Sequence, residues 1–247
     1  MTSWTIAAFT HRGRVRPDNE DAIAIGDRIF TGDMDTPVVV SVPNECCHLM
    51  IADGMGGHAH GAMASRAVLD HLVGATDRLS NPDFCAEAIE EANQHLFALM
   101  QDQRESVGMG ATLVGAILSP NTVLAFNVGD SRSYHFGAGQ LTQLSFDDVP
   151  EDEGPLRSHA ITQALGGASF PVSIDPHVSL HPSLAVGESL LLCSDGLTDM
   201  LSNQIIYRIL NTAEDPLRAV RKLAATAFRV GALDNISIIV CTRAAGS

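Results

Sequence analysis

Apolar residues in this chain fall mostly in short runs, some continuous and some alternating with polar ones. Such runs occupy residues 4–10, 22–25, 37–42, 48–52, 112–118, 122–128, 131–136, 174–180, 189–193 and 235–241. Runs of four to eight rich in Val, Ile, Leu and Ala predict strands. Ser119-Pro120-Asn121 and Gly137-Ala138-Gly139 separate consecutive runs with turn chemistry, so at least two hairpins and largely antiparallel sheets are expected. Helical spacing is confined to four longer stretches. Asn81-Pro82-Asp83 opens one of them, followed by Cys85, Ile89, Ala92, Leu96 and Leu99 on one face. Asp215-Pro216 opens another, with Leu217, Val220, Ala224 and Phe228 inward. Residues 61–79 carry Ala64, Val68, His71, Leu72 and Ala75 on one stripe, and 199–210 is a shorter candidate. Helices in pairs between groups of strands predict an α+β fold in which helices cover antiparallel sheets.

Composition narrows the function classes. The chain has 247 residues, 45% of them hydrophobic, enough for one large domain or two small ones, with no repeat, linker or low-complexity tract. Fifteen Lys and Arg against 29 Asp and Glu give a formal charge of −14, which repels nucleic acids and anionic membranes. Neither a span of about 20 apolar residues nor an export signal is present, so a cytoplasmic location is expected. Cys46, Cys47, Cys85, Cys193 and Cys241 are odd in number and contain no C-x-x-C pair, and they are read as reduced, mostly buried thiols. Residues 146–155 concentrate Asp147, Asp148, Glu151, Asp152 and Glu153, and a solvated acidic loop is expected there.

The carboxylates are placed systematically. Asp53 directly follows the run at 48–52, Asp130 follows that at 122–128 by one glycine, and Asp195 follows that at 189–193 by one serine. Glu20-Asp21 and Asp234 instead precede runs. In antiparallel sheets the start of one strand lies beside the end of its neighbour, so these acids can meet at one edge. Clustered carboxylates must protonate or bind cations, and an oxygen-only donor set suits Mg²⁺ or Mn²⁺. Asp53-Gly54, Gly129-Asp130 and Asp195-Gly196 place glycine beside an acid, where backbone groups can approach an ion closely. Ser131 and Ser194 lack a nucleophile-elbow motif and are not read as nucleophiles.

These residues carry a resemblance. The blocks are Arg16-Pro17-Asp18-Asn19-Glu20-Asp21, Ala52-Asp53-Gly54-Met55-Gly56-Gly57-His58, Gly108-Met109-Gly110, Asn127-Val128-Gly129-Asp130-Ser131-Arg132, Ile161-Thr162-Gln163-Ala164-Leu165-Gly166, Leu192-Cys193-Ser194-Asp195-Gly196-Leu197 and Asp234-Asn235. In type and order they resemble the bacterial branch of the PPM, or type-2C, metal-dependent Ser/Thr protein phosphatases. The resemblance implies a four-layer fold, two antiparallel β-sheets sandwiched between pairs of helices, with residues 1–247 forming a single phosphatase catalytic domain. It implies two core Mn²⁺ or Mg²⁺ ions bridged by Asp53, the Gly54 carbonyl on one, and Asp195 and Asp234 on the other. Glu20 and Asp21 would bind directly or through water, and Asp130 with Asp195 would hold a third, weaker ion. The chemistry implied is hydrolysis of phosphoserine and phosphothreonine by direct attack of a water bridging the metals. Arg16 would grip the phosphate, and His58, with His60 second, would protonate the leaving group.

Ala111 stands where Thr is usual after Gly110, Ala62 where an acid is common, and residues 26–47 form a longer link than in many bacterial members. Residues 146–159 replace a longer flap, and their acids are expected to disfavour acidic phosphosites. The expected partners are a phosphorylated protein substrate and a cognate Ser/Thr kinase, with the chain a monomer and neither nucleic acid nor membrane bound. Two other readings stay open: a catalytically poor regulatory module that binds a phosphoprotein, and a hydrolase of small phosphoesters.

Overall fold

The computed structural model describes residues 2–43, 45–56, 59–150 and 160–245. In chain order, β1 (Ser3–His11), β2 (Ala22–Ile25), β3 (Arg28–Thr31), β4 (Val38–Pro43), β5 (Cys47–Ala52) and the short β6 (Gly54–Met55) lead into helices α1 (Ala59–Gly74) and α2 (Pro82–Asp102). Then come β7 (Gly110–Ala111), β8 (Leu113–Leu118), β9 (Thr122–Val128), β10 (Arg132–Gly137), β11 (Gln140–Gln143), β12 (Leu165–Gly166), β13 (His177–Pro182) and β14 (Ser189–Cys193). The single-turn α3 (Asp195–Thr198), α4 (Asn203–Thr212), α5 (Pro216–Val230) and β15 (Ile236–Ala244) complete the chain.

The strands form two six-stranded antiparallel sheets, ordered β11-β10-β14-β15-β1-β4 and β13-β9-β8-β5-β2-β3, and a small third sheet, β12-β7-β6. Alternation along the strands divides the core into three layers. Trp4, Ile6 and Ala8 of β1 meet Ile23, Leu49 and Ile51 between the large sheets. Ala7 and Phe9, one residue out of phase, face Val220, Leu223 and Ala227 of α5. On the far side Ala22, Met50 and Ala52 pack against Val68 and Leu72 of α1 and Ile89 and Leu96 of α2. This is the expected α+β architecture of helices, sheet, sheet, helices. Strands buried on both faces read as continuous apolar runs, which is why they were visible in the sequence.

Asn81 accepts from the amides of Asp83 and Phe84 at the start of α2, and Asp215 accepts from that of Arg218 at the start of α5, as their sequences predict. The stretch at 61–79 stops earlier than its stripe suggests. After Gly74 the chain tightens into turns through Ala75 N to Leu72 O, 3.1 Å, and Arg78 N to Ala75 O, 2.9 Å. The candidate at 199–210 starts later than expected, as α4 from Asn203 with Ser202 before it, and the single turn α3 ends at Thr198, ahead of that stretch. The strand expected at 174–180 begins at His177, just beyond Pro176, which has no N–H to give a sheet. Edge strands β3 and β11 were not anticipated, because their register comes from tight turns rather than from hydrophobicity. Ala138 and Gly139, at φ 48° and 72°, turn β10 into β11.

Truncating a residue between the sheets should be felt far more than truncating an edge residue. Ile6→Ala is expected to lose about 2–5 kcal/mol of unfolding free energy, and Val39→Ala on the exposed face of β4 less than about 0.5 kcal/mol. Urea midpoints at unchanged slope check both, and equal losses would contradict the layered core.

Candidate active site

The acids predicted to meet do so where the two large sheets end together. Asp21, just before β2, and Asp53, just after β5, flank the paired residues Ala22 and Ala52 of one sheet. Asp195 follows β14 and Asp234 precedes β15 in the other sheet, where Cys193 pairs with Ile238 and Ser194 N donates to Ser237 O at 3.1 Å. Hydroxyls join the two halves: Ser194 Oγ and Ser237 Oγ, both fully buried, donate to Asp21 Oδ2 at 3.0 and 2.6 Å. Asn235 fixes the loop that carries Glu20. Its Oδ1 accepts from Glu20 N at 2.8 Å, and its Nδ2 donates to the carbonyls of Arg12 and Asp18 at 3.2 and 3.0 Å. Ser65 Oγ of α1 donates to the Glu20 carbonyl at 2.6 Å.

Two glycines allow this closeness. A Cβ on Gly54 would overlap the carbonyls of Gly61 and Glu20, and one on Gly196 would overlap that of Asn235. Behind Gly54 the small sheet brings three motif blocks into register, pairing Gly54 with Ala111 and Ala111 with Leu165.

Asp53 is fully buried close to Asp21 and Asp195, and the charge of each acts on it. Burial, then the charges of Asp21, Asp195 and Asp234, hold Asp53 well above the usual carboxylate range. Burial pushes Asp21 up to about 6 against the lowering effect of its two serines. Burial and then the Asp130 charge push Asp195 up to about 8. Buried this close together, the acids oppose one another's ionisation. Among the described residues no three of them close on a single point. Two of their oxygens, Asp21 Oδ1 and Asp195 Oδ1, are buried with no hydrogen-bond partner. Such orphans are expensive in neutral surroundings, and an oxygen-only set with unsatisfied lone pairs is what a hard divalent cation takes.

The remaining expected site residues sit around these acids. Asp234 Oδ2 accepts from Arg16 Nη2 at 2.5 Å, so the guanidinium expected to grip phosphate rests on a carboxylate and remains 56% exposed. The Glu20 carboxylate packs against Gly61, where a Cβ would collide with it. Asp130 lies on the Asp195 side, raised by burial and by Asp147 and Asp199. His58 lies outside the described residues, and His60 is half-buried in the first turn of α1. Ser131 is bonded to Thr112 at 2.8 Å in the interior, so neither it nor Ser194 is an accessible nucleophile.

Ser194 and Asn235 stand in the quoted blocks, but their hydrogen-bonding roles were not foreseen, and Asp199, Ser237 and Asp148 were missed as parts of this region. Asp199 had a signal, since it lies four residues after Asp195 on one helical face. The roles of the others had none, because their partners are remote in sequence.

The acidic tract is corrected at its two described carboxylates. Asp147 makes a forked ion pair with Arg132, Oδ2 accepting from Nε at 2.8 Å and from Nη2 at 2.5 Å. Asp148 is buried and accepts from Gly129 N, Gln163 Nε2 and His177 Nε2 within 2.9 Å. Both stay inside because each finds several donors. Glu151, Asp152 and Glu153 lie outside the described residues.

Comparison with known proteins decides the family. The model for protein phosphatase 2C matches residues 35–227. The chain belongs to the protein phosphatase 2C family. It is 32% identical over 246 residues to the serine/threonine protein phosphatase PstP of Mycobacterium tuberculosis, covering 95% of this chain and 44% of PstP. It is 29% identical to the serine/threonine phosphatase Stp of Listeria monocytogenes, covering 95% of this chain and 94% of Stp. The solved PstP catalytic domain in complex with two manganese ions superimposes with a TM-score of 0.80 at 28% identity, over 99% of this chain and 100% of that one. This chain thus spans less than half the length of PstP and nearly all of Stp. As a 2C-family member it carries its clustered acids at the junction of the sheets, and no described helix is long and apolar enough to cross a membrane.

Raised carboxyl pKa values have a definite sign. The folded state holds protons that the unfolded chain, near 3.9 for Asp, would release. Stability from this source is complete below the unfolded value and is lost as pH rises through the folded range, about 6 for Asp21 and about 8 for Asp195. Metal-free protein should therefore melt several degrees lower at about pH 8 than at about pH 6. Asp195→Asn should flatten that difference, and an unchanged pH dependence of melting in this variant would contradict the buried acids.

Proposed function

We propose that this chain is a divalent-metal-dependent phosphatase that releases phosphate from phosphoserine and phosphothreonine in proteins. The observation that carries this reading is the buried set of acids Asp21, Asp53 and Asp195 with its two unsatisfied oxygens at the seam of the sheets. In this reading Asp53, the Gly54 carbonyl, Asp195 and Asp234 would hold two ions, Mn²⁺ or Mg²⁺, with Asp53 serving both. Asp21 and Glu20 would bind directly or through water, and Asp130 with Asp195 would hold a third ion. The solved relative with two manganese ions supports the count of two. Bound cations supply Lewis acidity, lowering the pKa of water and offsetting the charge of a phosphate dianion.

The protein's own contribution is positioning. Ser194 and Ser237 hold one oxygen of Asp21, leaving the other buried and without a partner. Asn235 holds the Glu20 backbone. Arg16 exchanges Asp234 for phosphate oxygens once that carboxylate is engaged elsewhere, and its planar fork suits a phosphate better than a lysine would. His58 is proposed as the acid for the leaving alkoxide, with His60 the second candidate. Residues 1–247 act as one catalytic domain, a cytoplasmic monomer working against a Ser/Thr kinase.

Hydrolysis of p-nitrophenyl phosphate and of a phosphothreonine peptide should require added Mn²⁺ or Mg²⁺ and stop with EDTA. Asp53→Ala and Asp195→Ala should each lower kcat by at least about 100-fold, and Asp130→Ala by less. Undiminished turnover in chelated enzyme would overturn the proposal. Arg16→Ala should cost about 10- to 150-fold in kcat/KM, mostly in KM, with partial recovery in Arg16→Lys.

A further inference from the structure

A chain of formal charge −14 places three arginines, Arg12, Arg14 and Arg16, in the loop beside its candidate site. Two of them are committed. Arg12 Nε lies 3.3 Å from Asp33 Oδ2 and its Nη1 donates to the Pro17 carbonyl at 2.9 Å, and Arg16 rests on Asp234. Arg14 has no carboxylate partner among the described residues. Its guanidinium lies over the Phe228 ring of α5, 5.9 Å from the centroid, and is exposed. Its backbone is nevertheless fixed. Arg14 N donates to Ala232 O at 2.8 Å, and Gly13, at φ +77°, presses on the carbonyls of Ala232 and Asp234, where any side chain would collide. These contacts lash the arginine loop to the loop that carries Asp234.

The same two loops expose Val15 at 63% and Leu233 at 55%. A guanidinium with no carboxylate partner among the described residues, on the same two loops as two exposed aliphatic side chains, matches an acidic residue next to an apolar one and repels a basic one. Of the acids on the neighbouring loops, Asp33 and Asp234 are held by Arg12 and Arg16. Asp147 and Asp148, expected to disfavour acidic partners, are spent on Arg132 and on interior donors.

We propose that Arg14, Val15 and Leu233 form a docking rim for the stretch of a phosphoprotein that flanks its phosphorylated residue, and that this rim selects an acidic side chain beside an apolar one. The phosphorylated residue itself rests on the phosphatase reading above. The preference for its flank rests on the rim alone.

The test uses labelled peptides with a non-hydrolysable phosphonate in place of phosphothreonine. Both have a leucine in the flank, and one has two Asp where the other has two Gln. Binding is followed by anisotropy with Mn²⁺ present at low salt. Wild-type protein should bind the acidic peptide about three- to fivefold more tightly, and the gap should shrink in higher salt. Arg14→Ala should remove the preference, Arg14→Glu should invert it and Arg14→Lys should retain it. All three should leave turnover of p-nitrophenyl phosphate within about twofold. Leu233→Ser should weaken both peptides equally. An acidic-to-neutral ratio unchanged in Arg14→Glu overturns the charge selection, and unaltered binding in Leu233→Ser overturns the apolar half. Because binding needs no turnover, an inactive enzyme would refute the phosphatase reading while the ratio still decides the rim.

Discussion

Carboxyl groups buried side by side without a fixed counter-charge set the terms for the rest of this molecule. Asp21, Asp53 and Asp195 lie where the two large sheets end together, and repulsion and desolvation both oppose their ionisation. A fold would not retain such a group for stability, since apolar residues of similar size would fill the seam more favourably. The carboxyls persist by keeping protons, by taking serine hydroxyls and, in the functional reading, by holding cations.

The supporting polar residues explain how this arrangement is kept to one geometry. Asp21 belongs to one sheet, and the hydroxyls that hold it belong to the other. Thr10 extends the network, its hydroxyl 2.8 Å from that of Ser237. Asn235 does the equivalent for the entry loop, using both ends of its amide on backbone groups. The same hydrogen bonds thus join the sheets and aim the acids, so loosening the sandwich would disturb the site. Directional hydrogen bonds of this kind specify a single packing where apolar contact alone tolerates several.

Charge is sorted by depth as well as by sign. Inside, acids outnumber their partners. At the rim beside Asp234 the order reverses, with three arginines on one short loop. An acidic protein must still admit a phosphate dianion, and long-range repulsion from a −14 surface is screened within about 8–10 Å at physiological salt. Local cationic groups therefore decide what approaches the site.

The architecture was legible in the sequence wherever burial on two faces made strands continuously apolar, as in 48–52 and 189–193, and wherever Asn81-Pro82 or Asp215-Pro216 signalled a helix start. The acids were legible too, because Asp21, Asp53, Asp195 and Asp234 stand at strand ends and antiparallel pairing must bring such ends together. Edge strands β3 and β11 were not, since turn geometry rather than hydrophobicity sets them. Nor could the sequence say that Asp147 and Asp148 face inward, because donors such as Arg132 and His177 are 15 and 29 residues away. Local pattern thus determined which residues could carry the chemistry. Only tertiary structure decided which acids are buried against one another and which carboxylates hold Arg12 and Arg16, because a charge is governed by neighbours that the chain brings in from a distance.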